Sequence, residues 1–234
     1  MGAGDLNTRV TKAPRDSQIE LGGIPLLLMP ERTALLTAQE TLLLGDTHWG
    51  KAQTMRTAGA AIPRGDLEEQ LSRLCRAVDR TSARRVIILG DLLHAPAGVN
   101  DPLIDRVGRF TAEQSAEICL VPGNHDRKLG VERLERVCGG MGINLLSREE
   151  STGGAALRHD PLEGDAVPAI GGHHHPAVTL PGSGQYPVKA AAFWVVGGDR
   201  LVLPAFSGFT AGSSLRPRHG ERVYAVGESS VIGL

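Results

Sequence analysis

Aromatic residues are scarce in this 234-residue chain, at 3%, which leaves few platforms for stacking bare bases. Neither sign of charge dominates. Twenty-five Lys and Arg face 26 Asp and Glu, for a formal net charge of -1, so composition gives no electrostatic footprint for a polyanion. Cysteine is rare: Cys75, Cys119 and Cys138 are odd in number and show no C-x-x-C spacing. A disulfide framework does not fit that count, and the usage suits a reducing cytoplasm. Long hydrophobic runs are missing too. The stretch Leu26–Met29 is far too short to span a bilayer, so no membrane association is expected. The opening MGAGDLNTRV has no apolar core of a targeting segment, and Leu6 stands where a myristoylation signal carries Ser or Thr. Residues 1–18 read as a flexible tail and 19–234 as a single domain, a length that one hydrophobic core can serve.

What is present is an alternation of apolar runs and helical periods. Ile19 to Thr37 reads as a hairpin broken at Gly22-Gly23 and Pro30-Glu31. Thr41–Leu44, Val86–Leu89, Ile118–Val121 and Ile143–Leu146 are continuous apolar runs of buried-strand length. Between them, Leu67, Leu71, Leu74 and Val78 fall on one helix face behind Asp66 as N-cap. Asp101-Pro102 opens a second helix, and Val131, Leu134 and Val137 mark a third that stops at Gly139-Gly140. Beyond residue 150 the helical period disappears, and short strands punctuated by Gly and Pro take over. The pattern predicts an α/β fold: a two-sheet β-sandwich flanked by helices.

Polar residues follow these strands in a repeated way. The runs end in Gly45-Asp46-Thr47-His48, Gly90-Asp91-Leu92-Leu93-His94, Gly123-Asn124-His125-Asp126, His159-Asp160 and Gly171-Gly172-His173-His174-His175. In α/β sheets the carboxyl ends of strands are where ligands bind. Carboxylate, imidazole and one amide, with no thiolate, suit Mn²⁺, Fe or Zn²⁺. In an extended segment, Asp46 and His48 project to the same side, as do His173 and His175. Asp91 has two carboxylate oxygens and can bridge two ions, and two ions about 3.5–4 Å apart clamp a phosphate. Each element alone has an ordinary reading: Gly90-Asp91 as a turn with an Asx hydrogen bond, His159 as a hydrogen-bonded histidine. Five in this order point to a paired-metal site.

The order D-x-H, G-D, G-N-H-D, a single His and G-H-x-H resembles the calcineurin-like metallophosphoesterase superfamily, whose fold is a four-layer αββα sandwich. A narrower resemblance rests on LGDTHWGKAQTMRTAGAAIPRG, LGDLLHA, VPGNHDR, GGHHHPAV and LVLPAFSGFTAG. These are similar to PdeM-type, ligase-associated DNA-damage-response phosphoesterases. Asp160 departs from the pattern, which has Glu there, and His174 stands where an apolar residue is common. The resemblance implies two divalent cations, one held by Asp46, His48, Asp91 and His175, the other by Asp91, Asn124, His159 and His173. It also implies that His125 faces the scissile phosphate, as acid or charge stabiliser, with Asp126 holding its ring. As partners it implies DNA, and association with an ATP-dependent DNA ligase, a helicase and a nuclease.

Lys51, Arg56, Arg127, Lys128 and Arg158 lie close in sequence to these motifs, and Arg216, Arg218 and His219 follow the LPAFSGFTAG segment. Of these, Lys51, Arg56, Arg127 and Arg216 are the candidate contacts to flanking phosphates. The expected function is a Mn²⁺-dependent phosphodiesterase or endonuclease of DNA repair. A phosphatase or phosphodiesterase for a small nucleotide or other phosphorylated metabolite is the alternative, and a ligand-free scaffold is a third reading that the complete donor set opposes.

Overall fold

The structure, a computed structural model, describes residues 14–63, 65–182, 186–210 and 212–234. Most of the tail expected over 1–18 lies outside them. Within them the first strand starts earlier than that boundary, at Ser17, and Arg15 bridges to Ser230.

The first sheet holds seven strands in chain order: β1 (Ser17–Leu21), β2 (Ile24–Met29), β3 (Thr33–Leu36), β4 (Thr41–Leu44), β5 (Arg85–Leu89), β6 (Glu117–Val121) and β7 (Asn144–Leu145). The first four form an antiparallel meander, and β4 to β7 run parallel. Five helices connect the parallel part: α1 (Lys51–Thr57), α2 (Asp66–Thr81), α3 (Asp101–Ala112), α4 (Asn124–Arg127) and α5 (Val131–Gly140). The second sheet contains β8 (Glu149–Thr152), β9 (Ala155–Arg158), β10 (Ala169–Gly171), β11 (Pro176–Leu180), β12 (Val188–Val196), β13 (Arg200–Val202), β14 (Ser213–Ser214), β15 (Arg222–Val226) and β16 (Val231–Gly233). Here β9, β10 and β13 are parallel neighbours, and β12 is antiparallel to β11, β13 and β15.

The period of two explains why the central strands are apolar throughout. Leu42, Leu44, Val86, Ile88, Ile118 and Leu120 pack outward against Leu71, Leu74, Val78, Val107, Phe110 and Leu134 of the helices. The alternate residues Leu43, Ile87, Leu89, Cys119 and Val121 pack inward against Leu157, Ile170, Phe193, Val195 and Leu201 of the second sheet. A strand covered on both faces has no position for a polar side chain. The second sheet is covered differently. Its outer face carries only a small cluster around Val178, Ala192, Val223 and Ala225, and no helix follows α5 among the described residues. The helical layer of the sandwich therefore lies over the first sheet, because only the segments joining its strands carry a 3.6-residue apolar period.

One helix start differs from the sequence reading by one position, while α3 opens at Asp101 as read. Gly65 rather than Asp66 precedes α2, which puts Asp66 inside the first turn beside Glu68 and Glu69. At α3 the cap is Asn100, whose side chain accepts from the Leu103 amide at 3.0 Å. All three cysteines are free thiols.

Phe193, fully buried between the sheets, should be among the costliest residues to truncate. Phe193→Ala is expected to lower stability by about 3–5 kcal/mol in urea unfolding. Tyr186→Ala, at a side chain 83% exposed, should stay within about 0.5 kcal/mol of the parent.

Candidate functional site

The carboxyl ends of β4, β5, β6, β9 and β10 meet at one edge of the sandwich. Main-chain hydrogen bonds lace the turns that follow them. The Asp46 amide donates to the Gly90 carbonyl at 3.0 Å, the His48 amide to the Asp91 carbonyl at 2.9 Å, and the Gly172 amide to the His159 carbonyl at 2.9 Å. Asp46, His48, Asp91, His173 and His175 all have positive φ, between 47° and 71°. This corrects the reason given for the D-x-H and H-x-H spacings. The paired side chains converge from left-handed backbone and not from the pleat of an extended strand. Side-chain-bearing residues in that region are strained and collect at functional sites. Gly90 belongs to the same turn, and a Cβ there would overlap the His159 ring.

Asp46, His48 and His175 form one cluster. Nε2 of His48 lies 3.3 Å from Nε2 of His175, which in turn is 3.2 Å from Oδ1 of Asp46. The other oxygen of Asp46 accepts from the His173 amide at 2.9 Å. Asp46 is fully buried, yet its Oδ1 has no hydrogen-bond partner, and neither has Nδ1 of His48. Burial pushes the pKa of His48 down to about 3, against the opposing pull of Asp46, and the neighbouring His175, His125 and Lys51 lower it further. The imidazole is neutral and keeps a lone pair.

Asp91, Asn124, His159 and His173 form a second cluster. Nε2 of His159 is 2.8 Å from Oδ1 of Asn124, 3.0 Å from Nδ1 of His173 and 3.4 Å from Oδ1 of Asp91. Its other nitrogen, Nδ1, lies 3.1 Å from the Leu89 carbonyl. A carbonyl only accepts, so the proton sits on Nδ1 and the Nε2 lone pair points into the cluster. His173 also has a lowered pKa, through burial first and then the charge of His159. Oxygens of Asp46 and Asp91 and a nitrogen of His159 fall within 4.8 Å of one another, which joins the two clusters. All seven predicted donors therefore meet at one place.

Carboxylate oxygens, an amide oxygen and imidazole nitrogens crowd this edge at 2.8–3.4 Å from one another. Such an arrangement of neutral imidazole, carboxylate and amide oxygen is what divalent cations satisfy, so the residues fit the metals that their pattern suggested.

His125 sits at the rim, about a quarter exposed. Its amide donates to Oδ1 of Asp91 at 2.8 Å. Its Nδ1 lies 2.6 Å from the His94 carbonyl, so Nδ1 donates and Nε2 is left facing the centre, 3.8 Å from Oδ2 of Asp91. The role expected of Asp126 needs correction. Its carboxylate is fully buried and accepts from the amides of Leu93 at 2.9 Å, Gly123 at 2.9 Å and Leu92 at 3.3 Å. It ties the Asp91 turn to the Asn124 turn, and the His94 carbonyl orients the His125 ring instead.

His94 is the residue the sequence reading passed over. Its ring is stacked on that of His125 at 5.5 Å and lies edge-on to that of His48 at 5.6 Å. Donor atoms of His48, His94 and His125 also come within 4.8 Å of one another. The signal was the third position after Asp91. The basic residues divide. Lys51 is half-buried beside His48 and His94, whose pKa values it lowers. Arg127, together with Arg148, lines a 390 Å³ pocket that reaches Asn124, His159 and His173. Arg56 is turned to the Pro63 carbonyl and Gln53. Arg216 is exposed next to Leu215, which packs on the outer face of the second sheet. The structure thus brings Lys51 and Arg127 to the site but not Arg56 or Arg216.

No curated protein matches the sequence. In structure the chain is similar to the Pseudomonas putida nuclease MPE, with a TM-score of 0.78 at 28% sequence identity, covering 94% of this chain and 100% of that one. The pattern of the calcineurin-like phosphoesterases matches residues 40–159, which carry β4, β5, β6, β9 and the first five predicted ligands. The chain belongs to the calcineurin-like phosphoesterase family and is a hydrolase of phosphate esters.

Proposed function

We propose that this protein is a two-metal phosphodiesterase with endonuclease activity on DNA, that residues 19–234 act as one catalytic domain, and that it serves DNA repair in the cytoplasm beside a ligase, helicase and nuclease. The observation that carries the chemical part is the double cluster: seven donors from five strand ends, with Nε2 of His48 and Nε2 of His175 facing each other at 3.3 Å beside a partnerless carboxylate oxygen. One ion is assigned to Asp46, His48, Asp91 and His175, the other to Asp91, Asn124, His159 and His173. Mn²⁺ is the first choice, with Fe or Zn²⁺ open to the same donors. The nucleic-acid part rests on the nuclease to which the chain is similar and on the cations beside the pocket. Among the described residues no helix is long and apolar enough to cross a membrane.

When bound, the ions polarise the phosphoryl oxygens and lower the pKa of the attacking water. The chain's own groups do the rest. His125 gives its Nδ1 hydrogen to the His94 carbonyl, which leaves Nε2 facing the centre, 3.8 Å from the Asp91 carboxylate, as the position from which a proton is delivered. From there the proton passes to the leaving oxygen. Lys51 on one side and Arg127 with Arg148 on another contact the phosphates that flank the cleaved bond.

The chain stripped with a chelator should be inactive on a nitrophenyl phosphodiester and on DNA, and Mn²⁺ should restore both. Full activity of the stripped chain would defeat the reading. Asp91→Asn should cut the metal content measured by elemental analysis, because it removes the charge shared by both ions; two full equivalents in that variant would count against the bridge.

His125→Ala should retain metal and lose about 10²-fold or more in turnover. The loss should be larger for an alkyl diester than for the nitrophenyl diester, whose leaving group hardly needs a proton. Equal losses would assign His125 to charge stabilisation alone.

Arg127→Ala and Arg148→Ala should slow DNA cleavage while sparing the nitrophenyl diester. Each should flatten the log–log salt dependence of DNA binding by about 0.7–0.9. Unchanged slopes and rates in both variants would favour a small phosphorylated metabolite as substrate.

A further inference from the structure

The segment Leu203–Gly208 belongs to the sequence stretch that lies outside the metal motifs, and its residues up to Ser207 are buried. It crosses from one sheet to the other at the ligand edge. The Leu203 amide donates to the Gly171 carbonyl at 2.7 Å in the second sheet. Two residues later the chain bridges to the first sheet, where the Phe206 amide donates to the Gly45 carbonyl at 2.9 Å and the Ser207 amide to the Asp46 carbonyl at 3.1 Å. Asp46 has φ of 57°, so its peptide needs an outside partner to stay in that conformation. This segment supplies it.

Two arginines hold the segment from the opposite side. Nη1 of Arg32 donates to the Ala205 carbonyl at 3.2 Å and to the Ser207 carbonyl at 3.0 Å. Nη2 of Arg73 donates to the Phe206 carbonyl at 2.6 Å, and its guanidinium lies 4.5 Å from the centre of the Phe206 ring. Three consecutive carbonyls are thus taken up by two guanidiniums from distant parts of the chain, the β2–β3 turn and α2. Arg73 is buried and Arg32 half-buried, and burial lowers the pKa of both, yet a guanidinium stays charged at neutral pH. Glu69 offsets the repulsion between them, paired with Arg73 at 3.1 Å. Charged donors to carbonyls are among the stronger hydrogen bonds. Arg32 itself has φ of 62°, so the turn accepts strain to aim this side chain.

We propose that Arg32 and Arg73 are positioning residues of the metal centre, acting through the carbonyls of Ala205, Phe206 and Ser207 to hold the Asp46 turn in its ligating conformation. The proposal rests on the reading of Asp46 as a metal ligand. A buried arginine could instead only stabilise the fold, and the two roles part in what they do to metal affinity.

The experiment is Mn²⁺ titration by calorimetry of the full chain and of Arg73→Met and Arg32→Asn, with thermal unfolding of the metal-free proteins alongside. Met keeps packing on Phe206 but donates nothing, and Asn tolerates the left-handed turn. Partners of this kind commonly change metal affinity by 10–100-fold; the expected result here is a loss of about 10-fold in each variant, with activity on the nitrophenyl diester recovered at excess Mn²⁺ and KM unchanged. Arg73→Lys, which keeps a charged donor, should recover part of the affinity. Parent-like Mn²⁺ affinity in a folded Arg73→Met or Arg32→Asn chain, whatever its melting temperature, overturns the clamp. If Arg73→Met does not fold, Arg32→Asn decides alone. A parent chain that takes up no metal overturns the underlying reading, and the clamp with it.

Discussion

The centre depends on a backbone constraint: Asp46, His48, Asp91, His173 and His175 sit at positive φ, a conformation costing of order 1–3 kcal/mol for each residue with a side chain. Such turns persist only where the surroundings over-determine them. Here the over-determination is mutual. The Asp46 and His48 amides bond to carbonyls of the Gly90–Asp91 turn, the Asp126 carboxylate gathers three amides from the turns after β5 and β6, and the His173 amide bonds to the Asp46 carboxylate. Each ligand turn is thus part of the support of another. The sandwich beneath them supplies rigidity, because strands packed on both faces leave the turns no room to shift as a group.

The same crowding gives the site its electrostatic character. Burial lowers the pKa of His48 to about 3 and that of His173 below its ordinary value, and two carboxylates lie among them. Without cations these groups carry strain and unsatisfied acceptors together. A ligand that binds only the folded arrangement stabilises it by mass action, so the stability of the strained edge and its affinity for metal are two aspects of one balance. Asp160 extends this outward. Its carboxylate lies 2.8 Å from Nε2 of His174 and 3.9 Å from Nε2 of His173, so it reaches both histidines from outside the second cluster.

Much of this was legible in the sequence, for identifiable reasons. The runs Leu42–Leu44, Val86–Leu89 and Ile118–Val121 could only be strands buried on both faces, and the glycine-acid-histidine endings announced which edge they would furnish. What could not be read was anything set by long-range partners. The Lys51–Thr57 helix has no apolar period, and its seven residues contain one buried side chain, Ala52. The edge strand Glu149–Thr152 is polar and half-exposed, so it lacked an alternating signal. Asp126 looked like a partner for His125 because it is the next residue, yet a helical turn sends adjacent side chains apart and Asp126 went to the backbone. Arg32 and Arg73 resemble ordinary surface cations until the fold brings residues 205–207 against them.

The separation of the ligands along the chain bears on how the protein is made. The donors at Asp46, Asp91, Asn124, His159 and His175 and the Ala205–Ser207 segment that pins the first of them are spread over most of the polypeptide. A nascent chain that has left the ribosome as far as β7 carries four parallel strands, and the inner residues Leu43, Ile87, Leu89, Cys119 and Val121 are not fully covered until Leu157, Ile170, Phe193, Val195 and Leu201 have all arrived. Such a half-sandwich exposes apolar surface during elongation and invites association with other chains or with chaperones. No local peptide along the way gathers both clusters, so the pair is complete only when the second sheet has closed on the first.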